Sequence, residues 1–306
     1  MPAPTPSPPY YYPARRAEPA AAPRRGGGAL AGCLLALLLG MAFLLGMVLL
    51  SGAELSLAAA RLAERSLNRP DLARAMLEAA SLAWPKSAGL HNQLGELYLR
   101  GGQNQLAQDE LEQAVRLDPA LAAAQNNLGL LRLGSGLAEA AIPYFQSALA
   151  LDPTSPELLL NLGRAYSLAG QLSPAAQSYQ RAGSLALDGA RGWSQAGLTY
   201  LSLGEYNPAH QAFEQALAQE PGNAPALFGL GALLLQQGRP QEAIPYLEAA
   251  AQLLPADPVP SLYLGLAYRE LGQPDPARQA LELARRLSAS SALSAQIDAI
   301  LAQTNP

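Results

Sequence analysis

The sequence predicts an all-α protein, an α-solenoid of tandem helix-turn-helix repeats preceded by one transmembrane helix. Three observations lead to this fold class. A glycine recurs every 34 residues, the apolar residues around it keep helical spacing, and 22 consecutive residues near the N-terminus carry no charge. A fixed period of roughly 20–50 residues is the mark of stacked structural units. The repeated glycines are Gly95, Gly129, Gly163, Gly197, Gly231 and Gly265.

Each 34-residue unit contains two amphipathic helical patterns. In the fourth unit, the first pattern consists of Trp193, Ala196, Gly197 and Tyr200, at i, i+3, i+4 and i+7. The second consists of Ala209, Phe213 and Ala216. Asn207 before Pro208 predicts a capping side chain followed by proline at the first position of the second helix. Because one such helix pair cannot bury its apolar face alone, the units are expected to stack.

The repeated positions resemble the tetratricopeptide repeat family closely. The resemblance rests on Trp193, Gly197, Tyr200, Ala209, Phe213, Ala216, Pro221 and their equivalents in the other units. It covers residues 88–289, about two-thirds of the chain, as six tandem repeats. It implies a right-handed solenoid whose concave groove binds protein segments. The departures are mild, since Arg132 and Leu234 replace the tyrosine and two units lack the closing proline.

Shorter segments flank the six repeats. Residues 54–87 predict a degenerate first repeat, because Ala73, Leu77 and Ala80 lie 34 residues before their equivalents while Arg61 replaces the glycine. Residues 290–306 predict a C-terminal capping helix and tail, which terminal repeats need for solubility.

The first 50 residues predict a tail and an anchor. Residues 1–28 are rich in Pro, Ala and Arg and predict a disordered segment. Residues 29–50, at about 1.5 Å per residue, would span roughly 33 Å as a helix, enough to cross a ~30 Å hydrocarbon core. A cleaved signal peptide is the alternative, with Ser51-Gly52-Ala53 as a poor cleavage site. Cys33 lies in a lipoprotein-like LAGC sequence, but the apolar run follows it, so we interpret it as a helix residue.

Arginines predict the orientation of this anchor. Arg24 and Arg25 directly precede the span, with Arg15 and Arg16 behind them. The positive-inside bias therefore favours a single-pass protein with a cytoplasmic N-terminus and extracytoplasmic repeats. The small residues Gly32, Ala36 and Gly40 form a stripe through which two spans would be able to dimerise.

Composition and motifs argue against several function classes. The net charge is −4, and the part after residue 50 is acidic, which argues against nucleic acid as a partner. The two histidines, His91 and His210, are in different units, and no spacing predicts a metal or cofactor site. No nucleophile or phosphate-binding motif is present. We therefore expect no enzymatic activity. A single lysine against 19 arginines is typical of a GC-rich bacterial genome.

Protein binding remains, and the resemblance implies where it occurs. Positions −3, +1 and +4 relative to each glycine would line the concave groove. The predicted groove residues are Asn92, Glu96, Asn126, Leu130, Leu133, Leu160, Arg164, Ser194, Leu198, Leu201, Phe228, Leu235, Leu262, Leu266 and Arg269. This groove is largely apolar, which favours an apolar peptide or a partner's amphipathic helix as its ligand.

Two further functions stay open on sequence alone. The predicted function is that of a membrane-anchored interaction scaffold or adaptor in a cell-envelope process. The first alternative is a cytoplasm-facing adaptor that recruits soluble proteins to the membrane. The second is a non-catalytic regulatory subunit of an enzyme complex.

Overall fold

A computed structural model describes residues 52–65, 70–186 and 188–303. The predicted tail, the predicted span 29–50 and the Gly32, Ala36, Gly40 stripe lie outside these residues. The described part contains fifteen helices and no strand. They are α1 (Gly52–Arg65), α2 (Pro70–Ala83), α3 (Ala88–Arg100), α4 (Asn104–Leu117), α5 (Ala122–Gly134), α6 (Ala138–Leu151), α7 (Pro156–Leu168), α8 (Leu172–Leu185), α9 (Ala190–Ser202), α10 (Tyr206–Gln219), α11 (Ala224–Gln236), α12 (Pro240–Leu253), α13 (Pro258–Glu270), α14 (Pro274–Leu287) and α15 (Ser291–Gln303). The all-α prediction is confirmed.

The described chain forms two compact units, residues 52–153 and 154–303. The first consists of three helical hairpins, α1–α2, α3–α4 and α5–α6. The second consists of four hairpins, α7–α8 through α13–α14, followed by α15. In both units, consecutive helices pack side by side along the chain.

A single glycine in the first helix sets the packing of each of the six regular hairpins. A Cβ added at Gly95 would lie 2.6 Å from Cγ of Leu111, and one at Gly163 would lie 2.8 Å from Cδ1 of Tyr179. The large residue sixteen positions later therefore occupies the space of the missing side chain. Leu111 is fully buried in this position. Only a residue without a Cβ lets the two helices approach this closely.

A second glycine ends the first helix of each regular hairpin. Its φ lies between 66° and 76°, the left-handed region that favours glycine. These residues are Gly102, Gly136, Gly170, Gly204, Gly238 and Gly272. Because this turn recurs every 34 residues, it fixes where the second helix of each regular hairpin begins.

The predicted cap of the second helix at Asn207 is wrong. Helix α10 begins at Tyr206, one residue before Asn207, and its N-cap residue Glu205 makes no side-chain capping bond. Side-chain caps occur at first helices instead. Ser155 accepts from the backbone N–H of Leu158, and Asn223 accepts from that of Ala226. The residues before the first helices are therefore the ones that satisfy free N–H groups.

The contact between α8 and α9 in the second unit is unusually close. A Cβ at Gly192 would lie 2.8 Å from Cα of Gly183 and 2.9 Å from the carbonyl oxygen of Tyr179. Gly189 also lies directly against the Gly183 backbone. Two helix backbones thus touch at a junction where the repeat lacks its closing proline.

No helix among the described residues is both long enough and apolar enough to cross a membrane.

Candidate protein-interaction surface

The structure places all fifteen predicted groove residues on the first helices of hairpins, α3, α5, α7, α9, α11 and α13. Their accessibility divides them into two groups. The buried ones are Asn92, Leu133, Ser194, Phe228, Leu235 and Leu262. The partly buried ones are Glu96, Asn126, Leu130, Leu160, Arg164, Leu198, Leu201, Leu266 and Arg269. Only the second group retains surface for a ligand.

Three of the predicted residues pack against neighbouring helices. Phe228 on α11 makes an edge-to-face contact with Tyr263 on α13, with ring centroids 5.1 Å apart. Leu262 packs in a cluster with Ile297 of α15, and Leu266 borders the same cluster. The final helix therefore covers apolar surface of α13 that the sequence assigns to the groove.

Five apolar groove residues remain partly accessible: two leucines on α9 and one each on α5, α7 and α13. Leu130 and Leu198 are partly buried, as is Leu201 one turn further along α9. Leu160 on α7 borders a cluster that includes Tyr179 and Trp193. Leu198 and Leu201 lie three residues apart on one face of α9, so they present a continuous apolar strip.

A pair of buried amides lies beside the predicted groove positions of the first unit. The Nδ2 group of Asn127 donates to Oδ1 of Asn92 at 3.0 Å, and both side chains are buried. This bond joins α3 to α5 and satisfies two amides that would otherwise be costly to bury. Asn127 is at position −2 relative to Gly129, whereas the groove was predicted from positions −3, +1 and +4, so Asn127 was not among the predicted residues.

A charged cleft lies between α1, α2 and α3. Its polar lining is Arg61, Glu64, Gln93, Glu96 and Arg100. Arg100 pairs with Glu64, and its Nη2 lies 3.4 Å from Oε1 of Glu96. With the Gln93 amide oxygen facing Arg61, the guanidinium donates to it at 2.7 and 3.0 Å. Of these residues only Glu96 was predicted for the groove. Arg61, which stands where the six regular repeats have glycine, was the signal in the sequence that this hairpin carries a charged group.

Hydrogen bonds from a tyrosine hydroxyl to a glutamate carboxylate join successive hairpins within each unit. The hydroxyl of Tyr98 donates to Glu78 at 2.9 Å, and that of Tyr268 donates to Glu248 at 2.9 Å. Each pair is twenty residues apart. Burial, together with the bond to Glu78, raises the pKa of Tyr98 to about 12. Burial and the bond to Glu248 likewise raise the pKa of Tyr268.

Each of the two histidines lies beside a glutamate side chain. Nδ1 of His91 lies 2.6 Å from Oε2 of Glu110, and Nε2 lies 3.0 Å from the carbonyl oxygen of Pro85. His210 faces Glu214 on its own helix, at 3.4 Å. Among the described residues, no three His, Cys, Asp or Glu side chains are placed to hold a metal ion.

Family comparisons cover almost all of the described chain. One tetratricopeptide repeat model matches residues 57–120, 92–156 and 194–258, and a second matches residues 132–194 and 234–303. The matches begin inside α1 and end with α15, so they include the segments on both sides of the six repeats. No enzyme family is indicated.

Solved structures share the fold. The chain is similar to Pseudomonas aeruginosa pilF at 22% identity and a TM-score of 0.59, over 70% of this chain and 97% of that one. It is similar to PilW, a widely conserved type IV pilus biogenesis factor, at 19% identity and a TM-score of 0.59, over 70% and 98%. MamA matches at 26% identity and a TM-score of 0.51, over 55% and 91%.

No curated protein matches the chain in sequence. The family models, which together extend over residues 57–303, decide the assignment. The chain belongs to the tetratricopeptide repeat family, whose members are generally non-catalytic scaffolds for protein–protein interaction.

Proposed function

We propose that this protein is a membrane-anchored interaction scaffold whose first helices bind an apolar peptide or a partner's amphipathic helix. The observation that carries the proposal is the strip formed by Leu198 and Leu201 on α9. These side chains keep accessible surface while their neighbours Ala196 and Gly197 are buried in the hairpin. Leu130 on α5 and Leu160 on α7 offer the same chemistry.

Apolar side chains favour a ligand that removes them from water. Burial stabilises a complex by about 25 cal/mol per Å² of apolar surface, and a helix with apolar residues at i, i+3, i+4 and i+7 supplies a matching stripe. Few charges lie among these positions of the second unit, where Arg164 and Arg269 are the exceptions. An uncharged, leucine-rich segment is therefore the ligand class that fits.

The polar residues of the first unit would add selectivity. Glu96 is partly buried and lies beside Arg100 in the charged cleft. A ligand that placed an apolar group there would leave these charges without water, which costs free energy. We infer that a ligand group bound beside Glu96 carries hydrogen-bonding atoms.

A peptide selection tests the proposal. Random peptides displayed on phage are selected against the full chain in lipid nanodiscs, and the affinity of the enriched peptides is measured. We expect enrichment of apolar, helix-compatible sequences. The double substitution Leu198→Glu and Leu201→Glu is expected to weaken their binding by at least about tenfold, because two charges enter an apolar contact.

The matched control is Leu185→Glu, which changes an exposed leucine at the end of α8 that is outside the predicted groove. This variant is expected to bind the selected peptides as the parent does. Equal loss in both variants, or polar peptides that bind both variants unchanged, would refute the groove assignment. The circular dichroism spectrum distinguishes loss of binding from loss of the fold.

The anchor and its orientation form the second part of the proposal. They are supported by the charge-free residues 29–50 and by the arginines before them. Protease added to intact spheroplasts is expected to digest the repeats, which would limit the partners to envelope and secreted proteins. Protection until the membrane is permeabilised would instead support the cytoplasm-facing adaptor.

A further inference from the structure

The α1–α2 hairpin differs from the later repeats at Leu82, where the equivalent positions carry smaller or polar side chains. Leu82 near the end of α2 is 85% exposed, the highest value among the exposed large hydrophobic residues of the described chain. Leu55 on α1 is also exposed. The equivalents of Leu82 in the later repeats are Arg116, Ala150, Ser184, Ala218, Gln252 and Arg286.

In the described residues of α13, α14 and α15, the most exposed large apolar side chain is Leu283 on α14, at 40%, less than half the exposure of Leu82. In α15, which the structure describes completely, no large apolar side chain is exposed, and Ile297 is fully buried. A terminal helix normally has a polar outer face, because no further repeat covers it. The exposed leucines at the N-terminal hairpin therefore indicate a partner for that surface.

Trp84 locates this surface relative to the incoming chain. A Cβ at Gly52, the first residue of α1, would overlap the indole of Trp84. The end of α2 thus lies beside the start of α1. Leu82 and Trp84 are therefore near the place where α1 begins. Lys86, the only lysine of the protein, follows on the exposed turn.

The chain leaves little distance between this place and the predicted span. The span ends at Leu50, and two residues extend by at most about 7 Å. The polar zone of a bilayer is about 5–8 Å thick on each side of the hydrocarbon core. If residues 29–50 cross the membrane, the start of α1 lies within or just above this zone.

We propose that the exposed Leu55 and Leu82 at this end of the α1–α2 hairpin, with the partly buried Trp84 beside them, dock into the polar interface of the lipid bilayer. This inference rests on the anchor of the proposed function. Leucine and tryptophan are the side chains that favour the interface, and a neighbouring lysine reaches the headgroups. The docked hairpin fixes the angle at which the repeats leave the membrane.

The proposal predicts contact at one end of the hairpin only. Leu62 is 44% exposed but lies ten residues after Gly52, about 15 Å further along α1. Leu253 in the second unit has the same exposure, 44%. Leu62 remains in water if the docking is end-on, so it is the positional control for Leu82, and Leu253 is a control of the same exposure.

Spin labelling of the full chain in lipid vesicles tests this arrangement. Cys33→Ser removes the only cysteine, and Leu82→Cys, Leu62→Cys or Leu253→Cys then introduces one label site. Collision rates with oxygen, which enriches in lipid, and with a water-soluble nickel chelate are measured by electron paramagnetic resonance. We expect the oxygen-to-nickel ratio at position 82 to exceed that at 62 and 253 several-fold.

Flotation of the same vesicles separates the two levels of the proposal. If the chain floats with lipid but position 82 meets nickel as often as positions 62 and 253, the anchor stands and the docking is refuted. If position 62 is as deep as 82, the end-on contact is refuted. If the chain does not float, both the anchor and the docking are refuted.

Discussion

The α1–α2 and α3–α4 hairpins are neighbours in the first unit, and they differ at the position that sets helix packing. In α3–α4, Gly95 is buried and Leu111 occupies the space of its missing side chain. In α1–α2, the equivalent of Gly95 is Arg61, which is exposed and lines the charged cleft. Leu77, the equivalent of Leu111, is nevertheless buried.

The difference shows that one 34-residue pattern supports two kinds of hairpin. The apolar positions Leu57, Ala60, Ala73 and Leu77 join a core that extends into α3, α4 and α5. The glycine allows the two helices of a regular hairpin to approach closely. The α1–α2 hairpin, which lacks it, has the charged side chain of Arg61 in the cleft instead. Three experiments test this comparison, in order of decreasing expected effect.

The largest effect is expected from valine at a repeat glycine. A Cβ at Gly197 would lie 2.6 Å from Cδ1 of Phe213, and Gly229 on α11 confines the same ring. Because the ring cannot move away, we expect Gly197→Val to lower the free energy of unfolding by about 3 kcal/mol. Arg61→Val, on an exposed position of α1, is expected to cost less than about 1 kcal/mol. Urea titration of the full chain in detergent measures both. Equal losses would contradict the comparison.

A smaller effect is expected at the α8–α9 contact, where backbone meets backbone. Gly192→Ala would force apart helices that touch through Gly183, and we expect a loss of about 2 kcal/mol. Gly222→Ala is the control, since a Cβ there meets nothing within 4 Å. Its effect is expected to stay within about 0.5 kcal/mol. If the two variants unfold at the same urea concentration, the close contact does not stabilise the second unit.

The smallest effect is expected at the hydrogen bond between Tyr98 on α3 and Glu78 on α2, which belongs to the hairpin without the repeat glycine. The native state holds the Tyr98 proton up to about pH 12, because burial and Glu78 raise the pKa of Tyr98 above its usual value near 10. This contribution to stability is complete below pH 10 and is lost as the pH rises from 10 to 12. Tyr98→Phe is expected to cost about 1 kcal/mol at pH 8 and less at pH 11. Urea midpoints at the two pH values measure this, and an unchanged cost at pH 11 would contradict it.

Periodicity predicted the parts of the fold that repeat. The glycine spacing located the hairpins, because each glycine meets a large residue sixteen positions later, as Gly129 meets Phe145. The Gly183–Gly192 contact was missed, since it depends on how two particular repeats meet. The predicted cap at Asn207 failed because the helix begins one residue earlier.

The candidate surface was less predictable than the fold. Position within the repeat assigns a side chain to a face, but its accessibility depends on what packs against that face. Tyr263 covers Phe228, and α15 covers Leu262. Neither contact follows from the pattern of one repeat, whereas Leu198 and Leu201 remain partly accessible as predicted positions for a ligand.

Site-specific photocrosslinking in living cells tests the central claim most directly. A photoreactive residue replaces Leu201 on α9 or, as control, the more exposed Leu185 on α8. We expect position 201 to give a discrete adduct with a partner protein and position 185 to give none. Random collisions would favour the more exposed site. Adducts from position 185 as abundant as those from 201 would therefore contradict a binding surface on the first helices.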